Sequence, residues 1–350
     1  FTPLDALREV YGAGVEYAAG YRSGRPMLAE EDVIPPAELE ELRREAVEKA
    51  RGADAVIYIG GLNKNAFQDC ESTDRRDYSL PWGQDELIEA LATANPNLIV
   101  ANMSGNAYAM PWADRVGAIL QCWYLGTMAG PAMADVISGR ANPSGKLPIS
   151  FPERLEDCGA HSFGPVAYPG IEGETAGSAA DDLKGADVSA GNDPEVEYLD
   201  DIFVGYRWHD TMHIPALFPF GHGLSYTTFA LTNARLSASE MTADSSIEVS
   251  VDVTNTGSRA GAETVQLYIA DDESALPRPA KELKGFEKIR LEPGETATVT
   301  LVITATMLSY YDDRVAGWVA EPGTFRALVG ASSADIAASL PFKLSGVLCD

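Results

Sequence analysis

The sequence predicts an open α/β sheet with helices on both faces, followed by an antiparallel β-sandwich of immunoglobulin-like size. Three observations carry this. Short helical and strand-like units alternate up to about residue 152. A Gly-, Ala-, Ser- and acid-rich stretch follows over 170–197. From about residue 230 the apolar pattern switches to period two.

The first helix signal is residues 37–51, AELEELRREAVEKAR. Leu39, Leu42, Ala46, Val47 and Ala50 gather near one face, Pro35 and Pro36 precede them, and Gly52 stops the pattern. ADAVIYIGG (53–61) is a continuous apolar run ending in glycines, as a strand covered on both faces requires. The unit repeats. WGQDELIEALATAN (82–95) places Leu87, Ile88 and Leu91 at helical spacing, and NLIVANMSG (97–105) reads as a second buried strand. VGAILQCWY (116–124) is strand-like, GPAMADVISG (130–139) is short and helical, and KLPISFP (146–152) reads as the last strand. In such sheets the loops at the carboxyl ends of the strands form the functional edge, which places the long loop 61–81 there.

Residues 170–197 are poor in apolar side chains and read as a surface loop. Beyond the bridging stretches EYLDDIFVGYRWHD and LFPFGHGLSYTTF, alternation marks five strands: 247–257, 263–271, 288–295, 296–304 and 323–332. The division is therefore 1–160 for the α/β domain, 161–229 for the loop and crossing, and 230–350 for the β-sandwich.

A chain of 350 residues with 45% hydrophobic residues, 32 Gly and 21 Pro is long enough for two globular cores with many turns. Its formal net charge of −26, from 52 acidic and 26 basic residues, opposes phosphate backbones and anionic lipid. Nucleic acid and membrane are thus excluded as partners, while a neutral substrate is compatible. No apolar run nears the roughly 18 residues needed to span a bilayer. The N-terminal Phe1-Thr2-Pro3-Leu4-Asp5 shows no signal-peptide pattern. Cys70, Cys122, Cys158 and Cys349 lie far apart, neither a disulfide framework nor a zinc site.

The candidate site is GLNKNAFQDCESTDRRDYSLP (61–81), which packs Asp69, Glu71, Asp74, Arg75, Arg76 and Asp77 beside Phe67 and Tyr78. An acid catalyst needs a carboxyl pKa near the working pH, which a water-poor setting provides, whereas a flanking arginine keeps a carboxylate ionised. On spacing alone, such a loop reads as a solvated surface connection before it reads as a site. Cys70 has no histidine near it in sequence and reads as a packing residue. His161, His209, His213 and His222 are scattered. His209 and His213 are four apart, but Pro215 and strand-like surroundings argue against a helical metal site, so no metal and no cofactor are expected. Gly60-Gly61 lacks the rest of a nucleotide-binding fingerprint. Trp112, Trp123 and Tyr124 suit either a sugar cleft or core packing.

The motifs together resemble the C-terminal half of the family-three glycoside hydrolases, which include many β-glucosidases and β-xylosidases. GADAVIYIGGLNKNAFQDCESTDRRDYSLPWGQDELIEAL resembles the family's strand, acid/base loop and following helix. NPSGKLPISFP (142–152) resembles its closing strand, and VGYRWHD (204–210) with FPFGHGLSYTTF (218–229) its crossing into the last domain. VTNTGSRAGAETVQLYI (253–269) and RPAKELKGFEKIRLEPGE (278–295) resemble its fibronectin-type-III-like domain. The resemblance covers the chain apart from 170–197.

The resemblance implies an α/β sandwich, with its first strand lying before Phe1, followed by a fibronectin-type-III-like sandwich. It also implies a split catalytic pair: an aspartate nucleophile from a (β/α)8 barrel and a glutamate acid/base from the sandwich. The family pattern is Glu-Gly-aromatic-Asp-Arg shortly before Leu-Pro. Laid on this chain it makes Glu71 the acid/base, with Asp74 and Arg75 organising the loop, as an ion pair in the simplest reading. Ser72 and Thr73 replace the usual Gly and aromatic, so a sugar contact at Thr73 is weakened and Phe67 is its possible substitute. The implied partners are a β-linked oligosaccharide or glycoside and the barrel, on the same gene product or a second chain. Alone, this chain is not expected to turn over substrate. The family's habits imply a secreted or periplasmic protein. The competing readings are a β-xylosidase of the same family, or a non-catalytic carbohydrate-binding or scaffold protein.

Overall fold

The computed structural model describes residues 1–23, 34–65, 67–70, 74–171 and 195–349. The chain divides into two compact units. One holds Phe1–Arg140, Glu153–Leu155 and Tyr168–Glu197; the other holds Ala141–Pro152, Glu156–Ala167 and Tyr198–Asp350.

The first unit is built on a parallel sheet of β1 (Val56–Gly61), β2 (Leu98–Met103) and β3 (Ala118–Gln121), in that spatial order. Val56 faces Leu98, Gly61 faces Met103, and Ile99 faces Ala118. Among the described residues its helices are α1 (Pro3–Tyr11), α2 (Pro36–Ala50), α3 (Gln84–Ala94) and α4 (Ala129–Ile137). Strand side chains alternate between faces, so β1 sends Ile57 and Ile59 to one side, where they pack with Ala6 and Leu7 of α1 and Ala134 and Ile137 of α4. Tyr58 points to the other face, where its hydroxyl bonds Gln84 at the start of α3. Helix α1 places Leu4, Leu7, Val10 and Tyr11 at helical spacing, and its start is fixed by a capping box: the Thr2 side chain accepts from Asp5 N while the Asp5 carboxylate accepts from Thr2 N.

The second unit is a β-sandwich. One sheet is β11 (Thr296–Thr304), β8 (Ser246–Asn255) and β6 (Phe229–Leu236); the other runs β10 (Glu282–Leu291), β9 (Gly261–Asp271), β14 (Gly323–Gly330), β15 (Ile336–Ser345) and β7 (Glu240–Thr242). All neighbours are antiparallel except β15 and β7. The inward residues of β8, namely Ile247, Val249, Val251 and Val253, alternate with outward polar ones and meet Val265, Leu267, Ile269, Phe325 and Phe342 in one core.

Three local expectations need correction. KLPISFP does not close the parallel sheet: Phe151–Pro152 (β4) pairs antiparallel with Ala216–Phe218 (β5), both in the second unit. Its single apolar run of Ile149 and Phe151 broken by Pro148 and Pro152 suits a short paired segment, since proline withholds a ladder donor. The strand expected at 288–295 ends at Leu291, and Glu292-Pro293-Gly294-Glu295 is the turn, with Gly294 at φ 76°. His209 lies in a short helix, Tyr206–Thr211, not in strand-like surroundings. It is buried, its Nδ1 is 3.1 Å from Ile214 O, and His213 lies outside that helix. Most of 170–197 lies outside the described residues.

Candidate functional site at the carboxyl edge of the parallel sheet

Because β1, β2 and β3 run parallel, the loops leaving all three emerge at one edge. The loop 61–81 follows β1 and is tied to the other two by side-chain polar contacts. Asp69 is the meeting point. Its Oδ2 accepts from Gly105 N and, at 2.7 Å, from the Tyr124 hydroxyl; its Oδ1 accepts from Asn106 Nδ2 at 2.8 Å. Gly105 and Asn106 follow β2, and Tyr124 follows β3. A Cβ on Gly105 would stand 3.2 Å from the Tyr124 ring and 3.3 Å from Asp69 Oδ2, so the close approach uses glycine there. Burial, reinforced by the Asp69 bond, pushes the Tyr124 phenol well up, keeping it a donor throughout the neutral range.

Arg75 makes the second tie. Its guanidinium donates to Ala107 O at 2.7 Å and Ser79 O at 3.1 Å, and lies 6.0 Å from the Tyr78 ring centre. Burial draws its pKa down, while Asp69 and Asp77 draw it back up. Ala109 N donates to Tyr78 O at 2.8 Å. Burial pushes the Tyr168 phenol up, and its hydrogen bond to the Asp74 carboxylate adds to this. The ion pair expected between Asp74 and Arg75 is therefore not formed: one engages a tyrosine, the other backbone carbonyls.

At its far end the loop runs into α3. Asp85 accepts from Leu80 N at 3.0 Å and from Trp112 Nε1 at 2.8 Å, with its carboxyl raised by burial. Trp112 is fully buried and is core, not cleft lining. Phe67 is half-buried with φ 62°, and the Arg76 guanidinium stacks 3.8 Å from its ring centre. A sugar on that face of Phe67 would have to displace the arginine. Glu71 and Thr73 lie outside the described residues. Among the described residues no group of His, Cys, Asp and Glu is placed to hold a metal ion.

Sequence reasoning grouped Asp69 with the loop's charges but gave it no role, and it missed Gln84, Asp85 and Asn106 altogether. The signal for them is weak, because a polar residue whose partners lie far along the chain has no fixed spacing from them.

The profile of the glycosyl hydrolase family 3 C-terminal domain matches residues 1–226, and that of the fibronectin type III-like domain matches residues 263–333. The chain belongs to glycosyl hydrolase family 3. It is 49% identical over 340 residues to β-glucosidase BoGH3A of Bacteroides ovatus, covering 97% of this chain and 43% of that one. It is 38% identical to thermostable β-glucosidase B of Acetivibrio thermocellus, over 95% of this chain and 40% of the relative. Among solved structures, the family 3 β-glucosidase of Bifidobacterium adolescentis superposes with a TM-score of 0.80 at 33% identity, covering 97% of this chain and 45% of that one. The β-glucosidase of Kluyveromyces marxianus in complex with glucose gives 0.74 at 36% identity, covering 91% and 34%. The chain thus spans less than half the length of these family 3 relatives and corresponds to their C-terminal portion.

Proposed function

We propose that this chain is the C-terminal part of a retaining, exo-acting β-glucosidase and supplies its general acid/base, Glu71. The observation that carries the reading is the run Glu71-x-x-Asp74-Arg75-x-x-x-Ser79-Leu80-Pro81, which matches the family's acid/base pattern and sits in the loop that follows β1 at the carboxyl edge. The β-glucosidase relatives at 38–49% identity favour glucose over xylose as the sugar.

In the first step the protonated Glu71 carboxyl gives its proton to the glycosidic oxygen while an aspartate from the barrel attacks the anomeric carbon. The glycosidic bond breaks, the aglycone leaves as an alcohol, and a glycosyl-enzyme ester forms. In the second step the Glu71 carboxylate takes a proton from water as that water attacks the same carbon. The sugar is released with retained configuration and both carboxyl groups return to their starting state. The two groups need to stand about 5–5.5 Å apart. The nucleophile belongs to a barrel on the same gene product or on a second chain. Thr73 and Phe67 are the leaving-group-side contacts of this proposal, with Phe67 accessible once Arg76 moves. Export, to the periplasm or outside the cell, is part of the same reading and is checked by cell fractionation.

The test is Glu71→Gln in the complete enzyme acting on cellobiose. A fall in kcat of roughly 10²–10⁴-fold is expected, the usual worth of a general acid/base. Full retention of activity on this unactivated substrate overturns the assignment. A non-catalytic carbohydrate-binding protein, the other reading, predicts sugar binding by this chain alone and no hydrolysis by any assembly containing it.

A further inference from the structure

We propose that Asp69 is a positioning residue for the acid/base step, holding the backbone beside Glu71 in the register that proton transfer needs. The inference rests on the assignment of Glu71 above. Three loops meet at this one carboxylate: Gly105 N and Asn106 Nδ2 from the loop after β2 and the Tyr124 hydroxyl from the loop after β3. The residue's own N–H donates to Asn63 O at 3.0 Å, so backbone and side chain are both fixed. With both oxygens occupied by donors, Asp69 is committed to anchoring. Glu71 is two residues further along the chain, a reach of at most about 7 Å between α-carbons. An anchor that close limits where the acid can stand, and a misplacement of about 1 Å in a catalytic group can cost about 100-fold. Arg75 and Tyr78 tie the loop on the far side of Glu71 in sequence, and Asp69 is the residue on its N-terminal side whose side chain bonds the loops after both β2 and β3.

The role separates from mere structural support by its dependence on the leaving group. An enzyme with a misplaced acid fails on substrates that need protonation and is spared on those that do not. The experiment measures kcat/KM of the complete enzyme, D69N, Y124F and E71Q on aryl and alkyl β-glucosides. These range from 2,4-dinitrophenyl, which leaves unaided, to methyl, which does not. For D69N the expected loss is within about threefold on the dinitrophenyl glucoside and at least about thirtyfold on the methyl glucoside, a fraction of the full acid/base effect. Y124F removes one of the three donors and keeps the fold, so it carries the test if D69N does not fold; a smaller loss of the same slope is expected. An equal loss on every substrate, or none, in the folded variant overturns the positioning role. If E71Q itself shows no dependence on the leaving group, the failure lies in the Glu71 assignment; if E71Q shows it and the Asp69 and Tyr124 variants do not, only the present inference falls.

Discussion

The side-chain amide of Gln84 closes on both sides of Gly61: Oε1 accepts from Gly61 N at 2.7 Å and Nε2 donates to Gly61 O at 2.9 Å. The same amide accepts from the Tyr58 hydroxyl and donates to Pro81 O at 2.9 Å. Gly61 and Pro81 are the two ends of the loop 61–81, so a single buried side chain at the start of α3 pins both.

Replacing Gln84 by Ala should therefore destabilise the first unit by about 3 kcal/mol, since the Gly61 peptide, the Tyr58 hydroxyl and Pro81 O lose a partner in a dry site. Urea unfolding measures this. An unchanged midpoint would show that water reaches the position and replaces the amide.

Gly61 itself has φ 120°, and a Cβ there would run into the Met103 carbonyl on β2. Gly61→Ala should cost about 2–3 kcal/mol through backbone strain and displacement of β2. The same unfolding experiment reads it, and a loss under half of that would mean the β1 end relaxes freely.

In the second unit, burial raises the Glu282 carboxyl, but Arg278 at 2.7 Å, with Lys284 and Arg207, outweighs it and holds the pKa below the ordinary 4.5. A depressed carboxylate contributes stability that is fully present above its unfolded pKa and is lost as pH falls through its folded one. Glu282→Gln should thus lower stability at pH 7 by about 3 kcal/mol, as removal of one partner from a largely buried pair does. The penalty should shrink below pH 4.5. Denaturation midpoints between pH 3 and 7 check the sign; a penalty that grows on acidification contradicts it.

Phe325 is 1% exposed and stacks on Phe342 with ring centres 5.8 Å apart. Phe325→Ala should cost about 3–5 kcal/mol from lost burial and the cavity left behind. Calorimetry of the chain should show a correspondingly lower transition for the β-rich unit.

Much of this fold was legible because the deciding signals were periodic. The runs giving β1 and β2 and the alternation of β8 are statements about which faces are covered, and coverage is what makes a strand. What escaped was decided by single contacts. Strand β15 carries Pro341 within its run, and β4 depends on partners 64 to 67 residues away. At the site, the loop 61–81 stood out by its charges and its place after β1, and the resemblance narrowed it to Glu71 as the proposed acid/base. The residues that hold the loop, Asp69, Gln84 and Asp85, each bond a group distant in sequence: Gly105, Gly61 and Trp112 in turn. Asp74 and Arg75 show the same limit: adjacent opposite charges suggested a pair, yet Tyr168 and two carbonyls offered each a better partner.

The most direct test of Glu71 as acid/base in a retaining enzyme is the product formed when its carboxyl is removed and azide is offered. The complete enzyme carrying Glu71→Ala would be given 2,4-dinitrophenyl β-glucoside, which forms the glycosyl-enzyme without an acid but waits for a base to deacylate it. Azide needs no base, so turnover should rise with azide concentration and the product, identified by NMR, should be β-glucosyl azide. The α-anomer, or a rate indifferent to azide, would contradict the assignment.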